Sequence, residues 1–166
     1  MFRLWLKASV QPRSFSESKL KLENMYQEII LDHYKHPHGK GLTEPFDAEV
    51  HHVNPTCGDE ITLRVKTSAD GLIAISYDNQ GCSISQASAS IMFDQINGVT
   101  FAAGEQAVDH LVLMLQREVS PDEDILGDGI ALEGVAQYPA RVKCALLAWM
   151  AWKDAAIQAS SKGEAK

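Results

Sequence analysis

The chain of 166 residues has no Cys-x-x-Cys pair and only three cysteines, Cys57, Cys82 and Cys144. An odd, widely spaced set closes no disulfide framework. That excludes a stapled secreted scaffold and favours the reducing interior of a cell, a cytoplasmic setting. Long apolar runs are also missing, so no stretch is expected to span a bilayer and no membrane partner is expected. A basic excess is missing too. The formal charge is −7 and the pI near 5.3, without the clustered Lys and Arg that bind phosphate backbones, so nucleic acid is not expected as a partner. There are no internal repeats or low-complexity tracts. What remains, 45% hydrophobic and 22% charged, is the composition of one globular domain long enough to bury its own core.

Residues 1–24 differ from the rest, with five Lys and Arg against two Glu. Their apolar patch, Phe2, Leu4, Trp5 and Leu6, is broken by Arg3 and Lys7 and is shorter than a signal-peptide core. They read as a flexible basic extension ahead of a domain spanning 25–158, with a polar tail at 159–166. Met25, Ile29, Ile30 and His33 follow helical spacing, with Asn24 as a cap and Pro37, Gly39 and Gly41 as terminators. Three strands follow, at 46–53, 60–67 and 72–77. The clearest alternates Ile61, Leu63 and Val65 with Thr62, Arg64 and Lys66, and Ala69-Asp70-Gly71 marks a hairpin turn. After Gly81 the apolar period lengthens, and Ile84, Ala87 and Ile91 predict a helix closed by Asn97-Gly98. A further helix is expected over 106–117, then a solvated acidic loop over 120–134. The last helix begins at Pro139 and turns Val142, Leu146, Trp149 and Met150 toward the core.

Each cysteine occupies a distinct context. Cys57 and Asp59 are two apart near the start of a strand, where alternate residues share a side, so a thiolate and a carboxylate would face one site. Gly58 between them allows a turn or bulge. Cys82 falls at a helix N-terminus, where free N–H groups and the dipole favour a thiolate. Cys144 taken alone reads as a small buried hydrophobe. If the three converge with Asp59, they supply three sulfurs and one oxygen, a tetrahedral set for zinc. Spacing alone does not establish that convergence. His51 and His52 point to opposite faces of a strand, so at most one reaches the site, and a Cys–His nucleophile pair lacks an orienting third group. His33, His36 and His38 gather at the end of the first helix, where cationic histidines suit the dipole. Trp149 and Trp152 read as core, and Ser83, Ser85, Ser88 and Ser90 as capping and tight packing.

Three stretches together carry a resemblance. Asn54-Pro55-Thr56-Cys57-Gly58-Asp59, the run from Gly81-Cys82-Ser83 to Ser90, and the run from Ala140-Arg141-Val142-Lys143-Cys144 to Trp149 resemble the three motifs of the SufU proteins. These lie within the wider IscU/NifU N-terminal family of iron-sulfur cluster assembly. The opening helix from Met25 to Tyr34 is also similar. Scaffold members of that family carry a histidine before the third cysteine, where this chain has Lys143.

The resemblance implies an α+β, SufE/IscU-like fold with a three-stranded antiparallel sheet packed by helices. It implies a zinc-dependent sulfurtransferase with Zn2+ on Cys57, Asp59, Cys82 and Cys144. Cys57 would accept persulfide sulfur from a SufS-type cysteine desulfurase, once a histidine of that partner replaces it on the metal, and would pass it to downstream Suf machinery. Arg141 would lie beside the site. Two alternatives stay open: a scaffold for a 2Fe-2S cluster on the same thiolates, and a non-catalytic zinc-stabilised binding domain.

Overall fold

The computed structural model describes residues 14–164. Expectations for residues 1–13 and for the last two residues fall outside that range. Helix α1, Ser14–Lys35, is followed by strands β1, Ala48–Asn54, β2, Asp59–Thr67, and β3, Leu72–Gln80. Helix α2, Ser83–Ile96, leads into β4, Val99–Thr100, and α3, Phe101–Leu115. A short helix α4, Glu123–Leu126, runs into a 3₁₀ segment, Gly127–Gln137, and the long helix α5, Pro139–Glu164, ends the fold.

The α+β class expected from the sequence is borne out, but the sheet has four strands, not three. All pairs are antiparallel in the order β1-β2-β3-β4. The fourth strand is two residues long, pairing Thr100 with Leu72 and Val99 with Ile73. Two residues carry no periodicity, so nothing in the sequence marks them. Gly98 turns the chain with a φ of 76° and donates its N–H to the Ile73 carbonyl at 2.8 Å, which lays the strand in place.

One face of β2 is buried through Asp59, Ile61, Leu63 and Val65, as its alternation predicts. Helix α5 lies over β1 and β2 and also packs on α2. Its buried stripe is lined with alanines and two tryptophans, Trp149 and Trp152, both fully buried. Small residues let the helix approach the sheet closely while the indoles fill the remaining volume. Ser88 of α2 ties the two helices: its Oγ–H donates to the Ala145 carbonyl at 2.6 Å, and Trp149 Nε1–H donates to the same Oγ at 2.9 Å.

Several boundaries differ from the sequence reading. Helix α1 begins at Ser14 rather than after Asn24, although its packed part begins only near Tyr26; residues 16–25 are exposed. Helix α3 starts at Phe101, because Thr100 accepts the Ala103 N–H and serves as its cap. The acidic stretch 120–134 is no solvated loop: Leu126, Ala131, Leu132 and Val135 of α4 and the 3₁₀ segment are buried against the core. Met150 is 42% exposed, off the buried face of α5. The helix continues to Glu164, with Ala159 still buried.

Replacing Ser88 with Ala leaves the buried Trp149 N–H without its acceptor. Unfolding stability is expected to fall by about 1–3 kcal/mol, measured by urea denaturation, while Ser88→Thr retains most of it.

Candidate metal centre

The three cysteines come from three separate places and meet at one end of the sheet. Cys57 lies in the turn Pro55–Gly58 between β1 and β2, and not on a strand as its spacing from Asp59 suggested. The turn is closed by the Asn54 carbonyl, which accepts the Gly58 N–H at 2.9 Å, and by Gly58 itself, whose φ of 69° reverses the chain. Asn54 and Asp59 are register partners across the hairpin. The turn therefore brings the Cys57 sulfur within 4.8 Å of an Asp59 carboxylate oxygen by a different route from strand alternation.

Asp59 is wholly buried, 0% exposed, and its surroundings are built to receive it. Its Oδ1 accepts the Cys82 N–H at 2.8 Å, and its Oδ2 lies 3.8 Å from Cys82 Sγ. Cys82 caps α2, its sulfur accepting the Ser85 N–H at 3.5 Å. Gly81 makes this approach feasible: its φ is 151°, and a Cβ there would collide with the Asp59 carboxylate.

Cys144, fully buried in the second turn of α5, places its sulfur 3.3 Å from Cys57 Sγ. Ligand atoms of Cys57, Asp59 and Cys144 all fall within 4.8 Å of one another, and Cys82 adjoins them across Asp59. Burial pushes the Cys144 thiol up, reinforced by hydrogen bonds to Asp59, Cys57 and Cys82. Asn54, which the sequence reading passed over, supports the same sulfur: its Nδ2–H points at Cys144 Sγ at 3.9 Å while its Oδ1 accepts the Thr56 N–H. Its place at the head of the Cys57 motif was the available signal.

Three sulfurs and one carboxylate oxygen are the donor set of a soft or borderline ion such as zinc, and not of magnesium or calcium. Around a tetrahedral zinc two sulfurs lie about 3.7–3.8 Å apart and a sulfur and a carboxylate oxygen about 3.5 Å; the 3.3 Å between the Cys57 and Cys144 sulfurs and the 3.8 Å between Cys82 Sγ and Asp59 Oδ2 each fall within about 0.5 Å of those values. The residues present therefore fit zinc.

The histidines lie elsewhere. His51 hydrogen-bonds Thr62, and His52 meets Asp154 at 2.8 Å and holds that carboxyl below its ordinary range. His33 is buried, bridging Ser90 at 2.7 Å and Asp128 at 2.9 Å. His38 pairs with Asp94 at 2.6 Å. His33, His38 and Asp94 form a second cluster of metal-ligating types, but each of these side chains already has a protein partner. Arg141 is exposed and makes no ion pair among the described residues. With Tyr26, Ile84 and Tyr138 it lines a cleft of about 530 Å³.

The family described as NifU-like N terminal domain matches residues 25–145. The chain belongs to that family. Among its relatives, the NifU-like domain is 40% identical over 131 residues to the zinc-dependent sulfurtransferase SufU of Bacillus subtilis, covering 78% of this chain and 88% of that one. It is 39% identical over 135 residues to the iron-sulfur cluster assembly scaffold protein IscU of Streptococcus pyogenes, covering 81% and 84%. A solved structure from Fervidobacterium islandicum, described as an iron-sulfur cluster assembly scaffold protein for the SUF system, superposes with a TM-score of 0.73. It shares 32% identity and covers 81% of this chain and 98% of that one. The resemblance drawn from the three cysteine motifs is thus borne out: this is an IscU/SufU-type NifU-like domain. Among its described residues, no helix is long and apolar enough to cross a membrane.

In this NifU-like domain Gly81→Ala drives a methyl group into the Asp59 carboxylate. On reconstitution with zinc, uptake measured by elemental analysis is expected to fall to about half of wild type or less, whereas Gly134→Ala, which meets open space, leaves it unchanged.

Proposed function

We propose that this protein is a zinc-dependent sulfurtransferase of iron-sulfur cluster assembly, taking persulfide sulfur from a SufS-type cysteine desulfurase. The observation that carries the reading is the unequal exposure of the converging donors. Cys57 is exposed on its turn, Cys82 is half-buried, and Cys144 and Asp59 are buried. One thiol is accessible to a partner's active site, while the other three groups are fixed by a helix cap, a strand and a core helix.

Zn2+ would be held by Cys57, Asp59, Cys82 and Cys144, and bound there it would keep their thiols deprotonated near neutral pH. Cys57 then acts as the acceptor. Its thiolate attacks the outer sulfur of a persulfide on the desulfurase; the new S–S bond forms on Cys57, and the partner's cysteine leaves as a thiolate. Cys82 stays with its helix cap and Asp59 with the Cys82 N–H, so the rest of the site keeps its shape while the turn moves. Lys143 supports the transferase reading over the scaffold, because an ammonium group cannot stand in for an imidazole ligand at that place.

The scaffold reading keeps a specific support in the relative of similar identity named IscU. The same three sulfurs could hold a 2Fe-2S cluster as the assembled cargo. One experiment separates the two. Alanine release from cysteine by the desulfurase is expected to rise several-fold with the zinc-loaded protein, and Cys57→Ser returns it to the rate of the desulfurase alone. Stimulation that survives Cys57→Ser removes that residue from the acceptor role. Absence of stimulation, with colour and acid-labile sulfide after anaerobic reconstitution, establishes the scaffold instead.

A further inference from the structure

Cys57 and Cys144 stand in a relation that Cys82 does not share. Their sulfurs are 3.3 Å apart, where the turn Pro55–Gly58 meets the second turn of α5. Cys82 is turned instead toward Asp59 and the Ser85 N–H. Cys57 is exposed and Cys144 buried, so a partner protein can charge the first and cannot reach the second. The pair thus combines an accessible sulfur acceptor with a sheltered second thiol in van der Waals contact.

Resting on the sulfur-transfer reading above, we propose that Cys144 is a resolving thiol, which releases the sulfur carried by Cys57 as sulfide. Cys144 Sγ attacks Cys57 Sγ, and a Cys57–Cys144 disulfide forms. The bond from Cys57 to the outer sulfur breaks, and that sulfur leaves with the bonding electron pair. The step belongs to the metal-free site, where Cys144 is a thiol; its proton goes to the leaving sulfur, which departs as hydrogen sulfide. The outer sulfur gains two electrons and the two cysteine sulfurs lose two, so the step needs no reductant or oxidant from outside.

Attack falls on the inner sulfur because that atom is the one 3.3 Å away. Reaching a disulfide length of about 2.05 Å requires a further approach of little more than an ångström. The turn supplies it: Gly58 has an unhindered left-handed backbone, whereas α5 is held by the fully buried Trp149. A disulfide between Cys57 and Cys144 also removes two of the four metal donors, so sulfide release and metal retention exclude each other. The product is sulfide, the oxidation level that cluster-building chemistry consumes.

The full-length protein is charged with sulfur in two ways, by the desulfurase with cysteine and by inorganic polysulfide. It is then freed of both and followed by intact mass and sulfide determination. The expected course is a gain of one sulfur, then a fall to two hydrogens below the reduced protein as sulfide appears, with a peptide linking Cys57 to Cys144. Cys144→Ser is expected to keep its persulfide at least about tenfold longer. A wild-type persulfide as long-lived as that of Cys144→Ser, or a link from Cys57 to Cys82, overturns the resolving role. Should Cys144→Ser fail to fold, the linked peptide of the wild-type protein decides. Failure of the desulfurase alone to add sulfur instead overturns the transfer reading, and the polysulfide arm still decides the resolving step.

Discussion

A carboxylate with no exposure to water must be compensated where it lies, and in this protein that carboxylate is Asp59. Its need is met by the Cys82 N–H at the start of α2, which sets where that helix begins and therefore where its cysteine sits. The same need requires Gly81 to have no side chain. Around this one buried charge the sheet edge, a helix N-terminus and the flank of α5 are drawn together. A buried anion surrounded by thiols is an unfavourable arrangement by itself and a favourable one around a cation.

The core serves that convergence unevenly. Cys144 is placed by fully buried packing, with Trp149 just over a turn further along α5 and Ser88 joining the helix to α2. Cys57 sits on a four-residue turn held to Asn54 by two hydrogen bonds to its carbonyl and one to its Oδ1. Local opening is drawn from segments with few buried contacts. The NifU-like domain has its accessible sulfur on such a segment and its sheltered one on a helix buried against the sheet and α2. The proposed sulfur transfer would use both properties, since a rigid acceptor could not follow a partner and a mobile anchor could not hold the set together.

Much of this was legible beforehand, for identifiable reasons. Strand β2 announces itself by strict alternation, and Cys82 by standing before a change of period from two to 3.6. The Asn54-to-Asp59 stretch, with its neighbours around Cys82 and Cys144, was specific enough to mark the family. Where the reading failed, the local signal was absent or opposed the outcome. β4 is too short to show a pattern. The segment from Ser120 to Gly134 has the composition of a surface loop, and only tertiary packing makes Leu126, Ala131 and Leu132 core residues. Cys57 reached Asp59 through a turn rather than along a strand, because Gly58 takes a conformation that alternation rules do not consider.

His33 carries a consequence of another kind. Its ring joins α1 to Ser90, 57 residues away, and to Asp128, 95 residues away, while Ser90 also accepts the His38 N–H. Contacts of such sequence separation close large loops, whose entropy is lost before the contact rewards it. The buried imidazole thus fastens α1 to α2 and to the 3₁₀ segment at one point. In synthesis α1 precedes α2 and the 3₁₀ segment, so the His33 ring meets these partners only once both have followed.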